Sequence, residues 1–355
     1  MLSLKIYQRY ISFIFIKNFL IIFTALQFFY LGLDLIQNFK NLPNSANLQI
    51  LYALYTFLNA INFTLPISLV IAMIISKFNF IRTNEIVAMY ASGISKNSLI
   101  KPIFFTSIAI TLFYILLNFT NFTYSREYAY NILNHSTIST SSNNLFLKYN
   151  NNYIYIEKLD PFKKKAYGIR IFSIKNRDLR TITKAKSADF VKEQWVLNDI
   201  EILRKPPIDE KNAKLSKKFY KHYETLKGFK PKIIENVYEG KNSFSIMDAY
   251  QAIKLFLSQN VNISKIKASL FAMIIFPFFA PFLIMILFYY LPISNRFFNL
   301  AIASSAFVFT SLIVWAILFM LIKMSINGVI NPELGIILPI FLLASFATYL
   351  FLKNR

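Results

Sequence analysis

The chain has 355 residues, 55% of them hydrophobic, and a formal net charge of +22 at pH 7. Its mean hydropathy of +0.45 excludes an ordinary soluble protein of this length, because that much apolar surface needs lipid. Cysteine is absent, which excludes disulfides and thiolate metal sites.

Six stretches are long enough to cross a hydrocarbon core of about 30 Å, which takes roughly 20 residues. The first is expected over 12–36, with Lys17 and Asp34 near its ends. The second (50–76) and third (102–124) carry charge only at their margins. Spans without internal chains of carboxylates do not suit a proton pump or an ion-coupled transporter. Between these two lies Arg82-Thr-Asn-Glu-Ile-Val-Ala-Met-Tyr-Ala-Ser-Gly-Ile-Ser95, which fits a short helix lying across the membrane surface. Thr83 or Asn84 is placed to cap it, and Glu85 stands near the positive end of its dipole. The small residues Ala88, Ala91, Ser92 and Gly93 would let another protein approach closely.

Beyond the third span the rhythm changes to period two. Tyr153–Ile156, Tyr167–Ile174 and Trp195–Leu203 alternate β-branched or aromatic residues with smaller or polar ones. This is the pattern of short antiparallel strands, and it predicts a small sandwich or jelly roll. Residues 205–232, rich in Lys and containing Pro206, Pro207 and Pro231, read as a mobile loop. Helical spacing returns over 245–262 through Ile246, Ala249, Tyr250, Ile253 and Leu257, predicting an amphipathic helix at the membrane face. The last three spans are expected at 268–291, 297–322 and 334–352.

Residues 123–262 carry 25 Lys/Arg against 14 Asp/Glu; outside them the acidic residues are Asp34, Glu85 and Glu333. Basic residues gathered at the ends of apolar runs are orientation signals and headgroup partners, not a nucleic-acid stripe. With alternating spans, Lys5, Arg9, Arg82, Lys96, Lys101, Arg296, Lys353 and Arg355 fall on one side, which the positive-inside rule makes cytoplasmic. The expected fold is an α-helical membrane protein of six spans, three before and three after an inserted all-β, jelly-roll-like periplasmic domain, with both termini cytoplasmic. Its parts are 1–124, with the surface helix at about 83–96; 125–245, the β domain; and 246–355, a juxtamembrane helix and the last three spans.

The surface-helix segment and the three-plus-three layout resemble the LptF/LptG (YjgP/YjgQ) lipopolysaccharide export permease family. Further similarity lies in Arg9-Tyr-Ile11, Asn151-Asn-Tyr-Ile-Tyr-Ile-Glu157, Gly168-Ile-Arg-Ile-Phe172 and Lys184-Ala-Lys-Ser-Ala-Asp-Phe190, so the resemblance covers essentially the whole chain. Asn151–Glu157 and Asp199 lean towards LptG. The resemblance implies a non-catalytic permease subunit of an ABC exporter in the bacterial inner membrane, paired with LptF. It also implies an LptB-like ATPase dimer that uses ATP and Mg, an LptC-like protein, and delivery of lipopolysaccharide to a periplasmic bridge. It makes Glu85, Ala88, Met89, Ala91, Ser92 and Gly93 the ATPase-coupling residues and the first and fifth spans the lateral gates. The family often has basic residues on the first span, where Asp34 stands here and Lys40 follows.

Lys40, Arg126, Lys265 and Lys267 lie near the outer ends of spans, where they either pair with lipid A phosphates or simply snorkel. His135 and His222 are isolated, so metal binding is not expected. No cofactor is expected on this chain, and neither a phosphate-binding Gly-rich loop nor a G-x-S-x-G elbow occurs in it. A lipid-modifying membrane enzyme would need an acid, base or nucleophile near the outer face, where only scattered Asp and Glu are available. A receptor or scaffold would leave Glu85–Ser95 without a purpose.

Overall fold

The computed structural model describes residues 5–138, 141–149, 152–175, 178–206, 214–238, 243–257, 262–293 and 299–354; Asn151, Pro207, Arg296 and Arg355 lie outside them. The chain divides into two units, Met1–Ala129 with Lys267–Arg355, and Tyr130–Ile266.

Among the described residues six helical segments are long and apolar enough to cross a membrane, and the first unit holds them apart from the start of the fourth. In chain order it has α1 (Ile6–Gln37), α2 (Ala46–Arg82), the short α3 (Glu85–Ala91) and α4 (Lys96–Leu117). The helix α5 (Ser125–His135) leads into the second unit. Helices overrun the apolar runs wherever nothing stops them. Thus α2 continues to Arg82 and takes Lys77 inside it, whereas the third span stops at Leu117, short of the expected residue 124, because Asn118, Thr120 and Asn121 interrupt the apolar run. The remaining segments of this unit follow the second unit in sequence.

The second unit is built on six strands: β1 (Ser142–Tyr149), β2 (Asn152–Asp160), β3 (Lys165–Lys175), β4 (Asp178–Val191), β5 (Gln194–Arg204) and β6 (Ser216–Thr225). They form one antiparallel sheet in chain order. The β domain is present, but its described strands make a meander without the crossovers between two sheets that a jelly roll has. Register sets one apolar row across five strands, Leu145 opposite Ile156, Ile156 opposite Ile169, Ile169 opposite Ala185 and Ala185 opposite Ile200, all buried. The helices α6 (Pro231–Tyr238) and α7 (Ile246–Leu257) add to this core. Ile233, Ile234, Phe229 and Phe256 are buried, and the Trp195 indole donates to the Phe229 carbonyl at 2.7 Å.

One expectation for this unit is corrected, and the buried stripe of another is redrawn. Residues 205–232 are not one loop: β6 and the start of α6 lie within them. Every β6 side chain up to Glu224 is exposed, so the strand shows no alternation of polarity and is held by backbone pairing to β5. In α7 the buried face is Ile246, Ala249, Ala252 and Phe256, while Tyr250 and Leu257 are exposed; that face packs inside the second unit.

The fourth span is made by α8 (Ser264–Ile274), a 3-10 turn at Phe276–Phe278 and α9 (Phe279–Tyr290), the first unit resuming within α8 at Lys267. Pro277 lacks the N–H that an unbroken helix would need. The fifth span is α10 (Leu300–Ile326), and a π turn at Glu333–Ile337 leads into α11 (Leu338–Lys353) as the sixth. Gly335 lets this turn touch α10, since a Cβ there would stand 2.0 Å from Ser325 Oγ. The core of the unit gathers on α2 and α9 through Leu69, Met73, Ile81, Leu283 and Ile284. The first and fifth spans pack least, with 11% and 17% of their apolar windows buried against 56%, 44%, 56% and 28% for the second, third, fourth and sixth.

Candidate functional site at one end of the spans

The segment between α2 and α4 is shaped by two left-handed residues. Asn84 (φ 59) breaks α2 from α3, and Gly93 (φ 80) closes α3. Gly93 N–H donates to the Tyr90 carbonyl and Ile94 N–H to the Met89 carbonyl, at 3.0 and 3.1 Å, which is a Schellman closure. Ser95 then caps α4, accepting from the Ser98 amide at 3.3 Å. Neither predicted capping residue bonds the end of α3 through its side chain. Asn84 takes the capping position without a side-chain bond, and the Thr83 hydroxyl donates to Glu85 Oε1 at 2.7 Å.

The helix has an inner and an outer face. Ile86 is buried, and Met89 and Tyr90 pack on the core. Val87, Ala88, Ala91, Ser92 and Gly93 are exposed, forming a surface of small side chains. Glu85 is half-buried and receives the Tyr10 hydroxyl at 2.9 Å, so its carboxylate ties the start of the first span to this segment. The Tyr90 hydroxyl is buried with no hydrogen-bond partner among the described residues, and burial pushes its pKa up to about 12.

Beside this segment lies a polar cluster that the sequence did not disclose. Lys77, fully buried, donates to the carbonyls of Phe288 and Leu291 at 2.5 and 2.9 Å, and its ammonium stands 4.3 Å from the Phe288 ring centre. Lys96 donates to the Tyr289 carbonyl at 3.3 Å. The Tyr289 hydroxyl donates to Asn97 Oδ1 at 2.5 Å, and the Asn97 amide donates to the Phe351 carbonyl at 2.9 Å. The physical cause is the end of α9: its last carbonyls have no intrahelical donor, and buried among apolar helices they cannot turn to water. The available signal was one lysine at the edge of an otherwise uncharged run, which marks a functional or structural site in a membrane span.

Three further polar contacts join α1 to α2. The Asn18 amide donates to Ser76 Oγ at 2.8 Å, Gln27 and Thr64 are bonded at 2.8 Å, and the Tyr52 hydroxyl donates to Asp34. Asp34 therefore serves a neighbouring helix. Of the four basic residues expected at the outer ends, Lys40, Arg126 and Lys265 are exposed, and Lys267 is paired with Glu333 at 3.4 Å. Lys265 belongs to the second unit and the other three to the first. Lys323, at the end of α10, is a further basic residue that sequence reasoning passed over; it stands 5.1 Å from the Phe319 ring centre. His222 bonds Asn198 on the neighbouring strand at 2.9 Å.

A family model described as lipopolysaccharide export system permease LptF/LptG matches residues 9–353. A comparison with curated proteins gives no match.

Proposed function

The chain belongs to the lipopolysaccharide export permease family LptF/LptG, and from that premise we propose that it is one of two permease subunits of an ATP-driven ABC exporter in the bacterial inner membrane. Its partners are a paralogous six-span permease, an LptB-like ATPase dimer and an LptC-like protein, and its cargo is lipopolysaccharide. Both termini and α3 face the cytoplasm; the β domain faces the periplasm and passes cargo to a bridge. The leaning towards LptG rests on Asn151–Glu157 and Asp199 alone, since the family match covers both paralogues.

The observation that carries this reading is the small, exposed outer face of α3, Ala88, Ala91, Ser92 and Gly93, backed by a core-packed inner face and by Glu85 bonded to Tyr10. Such a surface receives another protein at close range and is coupled on its inner side to two spans. The low burial of the first and fifth spans agrees, because these are the surfaces a second permease and a lipid cargo would meet. ATP would be consumed by the partner, and closure of that partner on α3 would bias the spans between two arrangements.

The test is purification in mild detergent. A soluble ABC ATPase and a second six-span protein should accompany the wild-type chain. Glu85→Ala, and Gly93 replaced by a bulky residue, should weaken recovery of the ATPase; recovery at the wild-type level would refute the docking role.

A further inference from the structure

We propose that the groove between the third, fourth and sixth spans binds one acyl chain of an anionic glycerophospholipid, with the lipid phosphate at Lys101. The inference needs only the span unit and goes beyond the export reading, which assigns its gates to the first and fifth spans. Phe104, Phe105, Phe282, Met285 and Phe351 line a cavity of about 310 Å³ open on one side, at the small end of the roughly 300–1,000 Å³ range of ligand clefts. The rings of Phe104 and Phe282 stand 6.3 Å apart at its wall.

Lys101 is the one charged residue of the lining. It is exposed, its ammonium lies 5.9 Å from the Phe351 ring centre, and among the described residues no carboxylate pairs with it. It sits five residues into α4, about 7.5 Å along the helix, a depth at which a lysine on the lipid-facing side requires an anion or must stretch to the interface. Phe282, eight residues before the end of α9, places the floor about 12 Å inward. A cation at the mouth and an aromatic slot below match one phosphate and one chain. The volume leaves no room for the several chains of lipopolysaccharide.

The full chain is placed in nanodiscs containing a trace of photoactivatable phosphatidylglycerol or, separately, phosphatidylcholine carrying the same reactive chain, and labelled peptides are mapped by mass spectrometry. Labelling at Phe104–Phe105 and Met285 should favour phosphatidylglycerol about fivefold, the effect of one basic residue beside a net-anionic headgroup, which phosphatidylcholine lacks because its choline neutralises the phosphate, and Lys101→Gln should remove that preference. Ala347→Phe, which fills the groove, should suppress both labels, and Phe105→Ala, at an exposed position, should reduce them if the first variant folds poorly. Equal labelling by both lipids would show a snorkelling lysine in ordinary boundary lipid and overturn the proposal. So would labelling unchanged by either groove variant, or displacement of the probe by stoichiometric lipopolysaccharide. None of these outcomes depends on an ATPase partner, so failure here and failure of the docking reading are separable.

Discussion

Replacing Lys77 by Met isolates the chemistry of one buried ammonium. Met preserves most of the apolar stem, so the change is confined to the head group, which donates to the Phe288 and Leu291 carbonyls and faces the Phe288 ring. Two effects oppose each other. The variant no longer has to hold a cation out of water, but two helix-end carbonyls lose their donor. Each orphaned buried acceptor costs about 1–3 kcal/mol, so two cost about 2–6 kcal/mol, from which the relieved desolvation of the lysine head group subtracts. The carbonyls should win, because an amine can donate to both whether or not it is protonated, while a thioether can donate to neither. The expected net loss is about 1–3 kcal/mol, read from the detergent-denaturation midpoint of the full chain by helical circular dichroism, which reports mainly on the long spans. Unchanged stability would remove Lys77 as the donor to α9, and a gain would show that desolvation of the ammonium dominates.

Gly93→Ala should destabilise α3 by about 1–2 kcal/mol, because a left-handed residue with a Cβ is strained even though nothing lies within 4 Å of the added carbon. Hydrogen exchange at residues 88–94 should rise more for Ala than for Asn, which tolerates that conformation; equal effects would refute a backbone origin. Gly168→Ala should cost about 1–3 kcal/mol in the β domain, since its Cβ would meet the Glu157 side chain at 2.3–2.6 Å; an unchanged Trp195 fluorescence melt would contradict this. Lys217 bonds Glu201 at 2.6 Å and Lys205 bonds Asp178 at 2.8 Å, holding both carboxyls below their usual range. Each therefore titrates lower folded than unfolded, so its stabilisation is complete above the ordinary carboxylate range and disappears as pH falls through the lowered value. Exchange of β6 amides, corrected for intrinsic rate, should increase on acidification and should respond less in Lys217→Gln.

The long spans were legible because lipid demands uncharged length, and the strands β2, β3 and β5 because one face of each is buried. β6 was not legible. Its Ser-Lys-Lys-Phe-Tyr-Lys-His-Tyr-Glu-Thr sequence sits at the sheet edge, where lysines guard against unwanted pairing and no side of the strand needs to be apolar. In α7 the stripe expected from the sequence ran through Tyr250 and Leu257, whereas packing in the second unit buries Ala252 and Phe256. The exposed face of α3 was legible from its small residues. Its anchor was not, since Tyr10 and Glu85 are 75 residues apart and neither residue type implies the other. Lys77 was hidden for a related reason: its partners are backbone carbonyls, which any sequence would supply.

The polar contacts that α1 makes with α2 and α3 explain how a poorly buried span is held to its neighbours. Apolar side chains give α1 little preference for α2 over lipid tails, so polar pairs carry much of the specificity of the contact. Tyr10–Glu85, Asn18–Ser76, Gln27–Thr64 and Asp34–Tyr52 run in antiparallel order from the end bearing α3 to the opposite end of the spans. At about 0.6 kcal/mol for an average contact in lipid, the four sum to the order of 2–3 kcal/mol, small enough to be overcome by a docking partner. Sliding α1 by one residue, about 1.5 Å along its axis, would misalign all four together. Only the Tyr10–Glu85 contact has one end at α3. On the proposed docking role, Tyr10→Phe should therefore leave the other three in place while uncoupling α1 from a partner docked at α3, and a cross-link between positions 18 and 76 should hold α1 on α2 without disturbing recovery of the ATPase.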